Sequence, residues 1–117
     1  MKIEDCKDNL EHEERSERAK KFLLQVEEMD KICNLFRLLS EKSRLKIVLA
    51  LLEGESCVYH LVEACGGTQS GMSHQLRVLK DNGIVKSKRV GQNVLYSLSD
   101  GHIVKIVELA KEHKDCR

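Results

Sequence analysis

Proline is absent from the sequence, tryptophan is absent too, and only two phenylalanines and two tyrosines are present. No proline-rich linker separates domains, and no internal repeat or low-complexity tract appears. At 117 residues the chain reads as one globular domain. The shortage of aromatics leaves a core of leucine, isoleucine and valine. Such a core is thin for a monomer and leaves room for a dimer interface to complete it. No apolar run approaches the roughly 18–20 residues of a membrane span. The charged beginning of the chain carries no apolar signal segment, so a cytoplasmic protein without membrane contact is expected. Five cysteines, an odd number without framework spacing, argue for free thiols or metal ligands rather than disulfides.

The net charge of +1 conceals an asymmetry. Residues 1–30 hold six Lys/Arg against ten Asp/Glu, a balance of −4, whereas residues 31–117 hold fourteen against nine, a balance of +5. A mildly basic body is compatible with a nucleic-acid partner. Residues 1–17 lack hydrophobic periodicity and read as a mobile charged arm, leaving 18–117 as the folded, dimerising domain.

The helical pattern begins at Arg18. Phe22, Leu23, Val26 and Met29, then Ile32, Cys33, Leu35, Phe36, Leu38 and Leu39, form one long helix or two abutting ones. Ser40 is the expected N-cap of a helix over 41–53, with Leu45, Val48, Leu49 and Leu52 as its buried stripe. A short helix over 57–65 turns Val58, Leu61 and Val62 inward. After Gly66 and Gly67, Thr68 is placed to cap a helix on which Met72, Leu76 and Leu79 share one face. Gly83 ends it. Its other positions, Gln69, Ser70, Ser73, His74, Gln75 and Arg77, carry the hydrogen-bonding groups that base edges in a major groove require. A solvated polar face would have the same composition, so the neighbouring elements decide. The short helix, glycine turn and polar-faced helix make a helix-turn-helix. From Ile84 the period becomes two. Strands at 84–89 and 94–98 flank a tip at 90–93, with Lys86, Lys88 and Arg89 near it. A last helix runs from Ser99 or Asp100 to His113. The expected fold is mainly α with a β-hairpin: a winged helix-turn-helix in the order α-α-α-α-β-β-α, forming a homodimer. Gln69, Ser70, Ser73 and His74 are the expected base readers, and Lys88, Arg89 and Gln92 the backbone contacts.

Three segments in this order resemble the ArsR/SmtB family of winged-helix repressors. They are Leu39-Ser40-Glu41-Lys42-Ser43-Arg44-Leu45-Lys46-Ile47, Gln69-Ser70-Gly71-Met72-Ser73-His74-Gln75-Leu76 and Gly91-Gln92-Asn93-Val94-Leu95-Tyr96-Ser97-Leu98. Lys42 stands where the family usually has proline. The resemblance covers roughly residues 20–117. It implies a homodimer on double-stranded operator DNA that lets go when an inducer binds, commonly a metal ion.

Two constellations could hold that ion. His102 and His113 are eleven residues apart, about three helical turns, so they share a face but stand ~16 Å apart along the axis. One chain cannot close them on one ion, whose ligands sit at ~2.0–2.3 Å. Two last helices packed antiparallel about a twofold axis near Val107 would set Asp100 and His102 opposite His113 and Cys116 of the partner subunit. That gives a tetrahedral O/N/N/S set suited to zinc or another divalent transition metal. The same residues also fit a capping aspartate and a frayed polar helix end. The family's zinc-sensing members carry Asp and His, and a distant His, at the positions of Asp100, His102 and His113. Their fourth ligand is usually His or Glu, and Cys116 departs from that. The second constellation is Cys57 and His60, with Cys6 and His12 from the arm. Other members carry a thiolate site there, which would favour softer ions such as cadmium, lead or arsenic. Tyr59 stands where a second cysteine is found in some of them. Two further readings remain: a thiol or persulfide switch using Cys33 and Cys116, and an enzyme using Cys57 and His60 as nucleophile and base. The second lacks any evident oxyanion site, so no enzyme is expected. Cys33 and Cys65 fall on or beside apolar stripes and read as small core hydrophobes.

Overall fold

The computed structural model describes residues 9–115. Along the chain run helices α1 (Leu10–Gln25), α2 (Met29–Ser40), α3 (Lys42–Leu51), α4 (Val58–Cys65) and α5 (Gln69–Asp81). Strands β1 (Val85–Val90) and β2 (Asn93–Leu98) follow, and then helix α6 (Gly101–His113). The chain divides after Cys33 into two compact units.

In the first unit α1 begins at Leu10, well before the Arg18 that the hydrophobic pattern marks. Its start is held by polar means. The Asn9 side chain accepts from the His12 amide at 3.2 Å, and Glu11 and Glu13 stand in the first turn, where the helix dipole favours negative charge. No α1 residue is buried, and the turns before Arg18 are polar and charged, so the apolar pattern marks only the second half of the helix. The stretch after Arg18 resolves into two helices, because Glu28 adopts φ +59° between them.

The second unit holds the core. Ile47, Val48, Leu61, Leu76, Leu79, Ile84 and Val107 are its largest fully buried side chains. Helix α3 is capped by Glu41, not Ser40. The Glu41 carboxylate accepts from the amides of Ser43 at 3.2 Å and Arg44 at 3.1 Å. Ser40 is still helical and donates its hydroxyl back to the Arg37 carbonyl, so it is not available to cap. Ile47, Val48 and Leu51 are buried on α3, whereas Leu49 is exposed and Leu45 and Leu52 are half-buried. Leu-Lys-Ile-Val-Leu-Ala-Leu-Leu offers two stripes of equal apolarity, and packing against α4 and α5 selects between them.

Helix α5 follows the expected pattern: Met72, Leu76 and Leu79 are buried, and the Thr68 hydroxyl accepts from the Gly71 amide at 3.0 Å. The turn before it needs glycine, because Gly66 and Gly67 have φ +88° and +87°, where a side chain is strained. The far end of α5 is tied to α2. Asn34 donates to Asn82 Oδ1 at 2.9 Å, and Asn82 donates to the Val78 carbonyl at 2.8 Å. The hairpin pairs Val85 with Leu98 through Val90 with Asn93, one residue longer at the tip than expected on each strand. Gly91, at φ +64°, suits the first position of a II′ turn. The Ser56 and Tyr96 backbones exchange hydrogen bonds at 2.9 and 2.8 Å, which pins the α3–α4 loop to β2. On α6, Ile103 and Val107 belong to this core. Val107 is 2% exposed, so it is no marker of a dimer contact.

Leu76→Ala should therefore lower the unfolding free energy by about 2–5 kcal/mol, and Thr68→Ala by about 0.5–2 kcal/mol, in urea denaturation. A Leu76→Ala protein as stable as the parent would contradict this packing. Val107→Glu should unfold the chain rather than merely separate two copies.

Candidate nucleic-acid interface and metal centre

Burying one side of α5 leaves Gln69, Ser70, Ser73 and His74 exposed on the other. They line one open surface together with Arg77. Arg77, one turn beyond Ser73, shares their surface, and that spacing is the signal in the sequence that could have added it to the expected readers. The wing is fixed to this helix by Lys80, whose ammonium donates to the Ser87 hydroxyl at 2.7 Å. Arg89 and Gln92 are exposed on the hairpin. Lys88 is exposed too, but its ammonium lies 3.2 Å from the Glu55 carboxylate, a partner that no local pattern signals.

The first turn of α6 brings Asp100 and His102 together. Asp100 Oδ1 accepts from the amides of His102 at 2.9 Å and Ile103 at 3.1 Å, and it lies 3.6 Å from His102 Nδ1. These bonds, the Ile103 amide foremost, hold the Asp100 carboxyl below the usual carboxylate range. The cap is therefore in place above the ordinary carboxyl pKa and is lost as pH falls through the lowered one. Asp100 is thus both the cap and an ionised oxygen donor. His102 and His113 are exposed at opposite ends of α6. Among the described residues no three His, Cys, Asp or Glu side chains gather closely enough to hold an ion. Cys116 lies outside the described residues.

Cys57 is the N-cap residue of α4, and its side chain caps no amide. Its Sγ lies 3.1 Å from His60 Nδ1, and the Tyr59 ring meets the His60 ring edge-on. Cys57 and His60 are therefore brought together as their spacing requires. Cys6 lies outside the described residues, and His12 belongs to the first unit. Cys33 is an exposed free thiol and not the core hydrophobe its stripe indicates, whereas Cys65 is half-buried against the core.

This geometry can be set beside known proteins. Residues 41–87 match the bacterial regulatory protein, arsR family. The transcriptional repressor SmtB homolog of Synechocystis sp. is 33% identical over 92% of this chain and 82% of its own. The cadmium resistance transcriptional regulatory protein CadC homolog of Staphylococcus aureus is 39% identical over 93% of this chain and 90% of its own. Among solved structures, a homodimeric winged helix-turn-helix DNA-binding domain from Mycobacterium bovis is similar with a TM-score of 0.70. It is 26% identical and covers 82% of this chain and 84% of its own. Relatives of this kind are transcriptional regulators, which removes the enzyme reading of Cys57 and His60. With a recognition helix, a basic wing and this extent of identity, the chain belongs to the ArsR/SmtB family of winged helix-turn-helix transcriptional regulators.

Proposed function

We propose that this protein is a homodimeric, cytoplasmic repressor that releases double-stranded operator DNA when zinc, or another divalent transition metal, binds between the two last helices. One observation carries the reading. Asp100 and His102 form an exposed donor pair at one end of α6 while His113 stands exposed at the other. His102, Leu109 and His113 fall within roughly 40° of one another around the helix. Leu109 is 63% exposed, so this face joins an uncovered apolar side chain to two imidazoles. A second α6, packed antiparallel, would cover Leu109 and set His113 and Cys116 of the partner subunit opposite Asp100 and His102. The homodimeric solved structure supports association of two copies. The donor set fits, because Asp100 Oδ1 is occupied by the cap and Oδ2 is left for a ligand, as is an exposed imidazole.

A bound divalent ion supplies a cross-link between the two last helices. Release then depends on a difference in affinity between two dimer shapes, and the coupling is reciprocal. His113 is the expected transmitter, because a ligating imidazole usually donates its second N–H to a neighbouring group.

The Cys57–His60 contact at 3.1 Å favours a second reading, a soft-metal sensor. The cadmium-resistance name of the Staphylococcus aureus relative points the same way. A thiolate and an imidazole supply two of the four donors that a tetrahedral ion takes.

Four results follow from the first reading. Alanine at Ser73 and His74 should weaken operator binding far more than binding to random DNA, and equal losses would remove base readout from this helix. Leu109→Glu should give folded monomers by sedimentation, and a dimeric variant would place the interface elsewhere. Asp100→Asn should keep the cap, since asparagine caps as well as aspartate, yet lose metal-dependent release. Unchanged release would make Asp100 purely structural. With cobalt(II) in place of zinc, Cys116→Ser should abolish a sulfur-to-metal charge-transfer band that Cys57→Ser leaves intact. The reverse pattern would select the soft-metal site.

A further inference from the structure

A cleft of about 390 Å³ opens where the N-terminal turns of α3 and α5 meet the glycine turn, lined by Ser43, Lys46, Cys65, Gly67, Thr68 and Gln75 among others. No carboxylate is among its lining residues. Lys46 is exposed and makes no ion pair among the described residues, in contrast to Lys88. Three helices contribute polar groups: Ser43 and Lys46 from α3, Cys65 from α4, Gln75 from α5. Each group enters the cleft for a structural reason. Ile47 and Val48 are buried, which leaves Lys46 on the outer side of α3, while Ser43, one turn before Ile47 and on nearly the same face, is exposed in the first turn and lines the cleft beside it. Gln75 is oriented by Arg44, whose Nη1 lies 3.4 Å from Gln75 Oε1. A guanidinium can only donate, so it takes the amide oxygen and leaves the Gln75 NH2 to donate elsewhere. Arg44 is held in turn by the Leu38 carbonyl at 3.0 Å. Burial pushes the Cys65 thiol up, with Lys46 acting against it. The thiol is therefore neutral and does not cancel the lysine charge. A Cβ at Gly71 would stand 3.1 Å from the Thr68 hydroxyl, so glycine here leaves room for that capping group at the cleft.

From this arrangement we infer that the cleft is a seat for a DNA backbone phosphate, with Lys46 as its cation and Ser43 and the Gln75 amide as its neutral donors. The inference rests on the DNA-binding reading and extends it. Gln75 points about 100° away from His74 around α5, so a phosphate seated here would brace the flank of the recognition helix and not its base-reading face. Cys65 would then lie behind the bound strand.

The test uses the full-length protein, a 5′-labelled operator duplex and a random duplex, across a salt series. Lys46→Ala should weaken both duplexes by the same factor and flatten the log–log salt slope by about one. Lys46→Arg should restore both. In a protein whose other four cysteines are serine, operator DNA should slow alkylation of Cys65 by iodoacetamide at least tenfold, by the order of magnitude that occlusion implies. A Lys46→Ala protein with the parental slope, or Cys65 alkylated equally fast with and without DNA, overturns the seat. If His74→Ala still loses operator specificity in that case, the base reading stands without it. If neither variant changes binding, the DNA-binding surface itself is misassigned.

Discussion

Leu76 and Leu79 have no surface exposed to water, and the rest of the fold depends on where they are buried. They lie on the inner side of the one helix whose outer side must remain free for DNA. A helix used this way cannot be held by contacts all round its axis. It is held along one stripe by Ile47, Val48, Leu61 and Ile84, and at its two ends by polar bonds. Thr68 fixes the beginning, and the Asn34–Asn82 contact fixes the end. Neither end bond occupies Gln69, Ser73 or His74, and Ser70 meets the capping Thr68 hydroxyl only at 3.5 Å, so fixing the helix leaves most of the groups that would read bases free.

The wing obeys the same constraint. Its strands are short and its basic side chains exposed, so its position comes from anchors elsewhere. Tyr96 pairs with Ser56, Ser87 accepts from Lys80, and Lys88 meets Glu55. The last contact has a cost for function. A lysine that reaches a phosphate must leave Glu55 or share its charge with it. Being 62% and 45% exposed, the pair is weak and screened by salt, so it orients Lys88 without locking it. Lys46 has no such competitor, which makes it the better-placed cation although it lies outside the wing.

Much of this was legible before any coordinates. The stripe of α5, its cap and the hairpin all leave local traces: a 3.6-residue period, a threonine after paired glycines, then a period of two. What escaped has no such trace. The turns of α1 before Arg18 are built from a cap and charges without burial, so hydrophobicity registers only the second half of that helix. The face of α3 was misread because its run is apolar on two sides, and only its neighbours break the tie. Ser40 was preferred to Glu41 as a cap because the bond from its hydroxyl to Arg37 is not visible in sequence. Val107 reads as the midpoint of a helix pair because α6 alone shows a continuous apolar set, whereas the fold buries one side of it in the core and leaves Leu109 on another. Of the candidate ligands, Cys57 with His60 follows from the i, i+3 spacing of a helix, whereas Asp100 meets His102 because it caps the helix that His102 begins. Cys6 and Cys116 lie outside the described residues, so sequence alone speaks for them.

The two pairs differ in what binding an ion would do to the fold. Cys57 caps no amide, so engaging its sulfur gives up only its contact with His60 Nδ1. Its neighbour Ser56, however, is paired to the wing, so strain at Cys57 passes through one residue to the hairpin. Asp100 already anchors α6 through Oδ1. A ligand drawn to its other oxygen inherits that anchor and bears directly on the helix carrying Ile103 and Val107. Since those two side chains belong to the same core as Leu76 and Leu79, a displacement of α6 cannot be absorbed locally in a close-packed interior. Helix α6 packs against β2, and α4 packs against both β2 and the recognition helix. An ion held at the α6 pair would therefore bear first on the wing, and one held at the α4 pair on the wing and the recognition helix together.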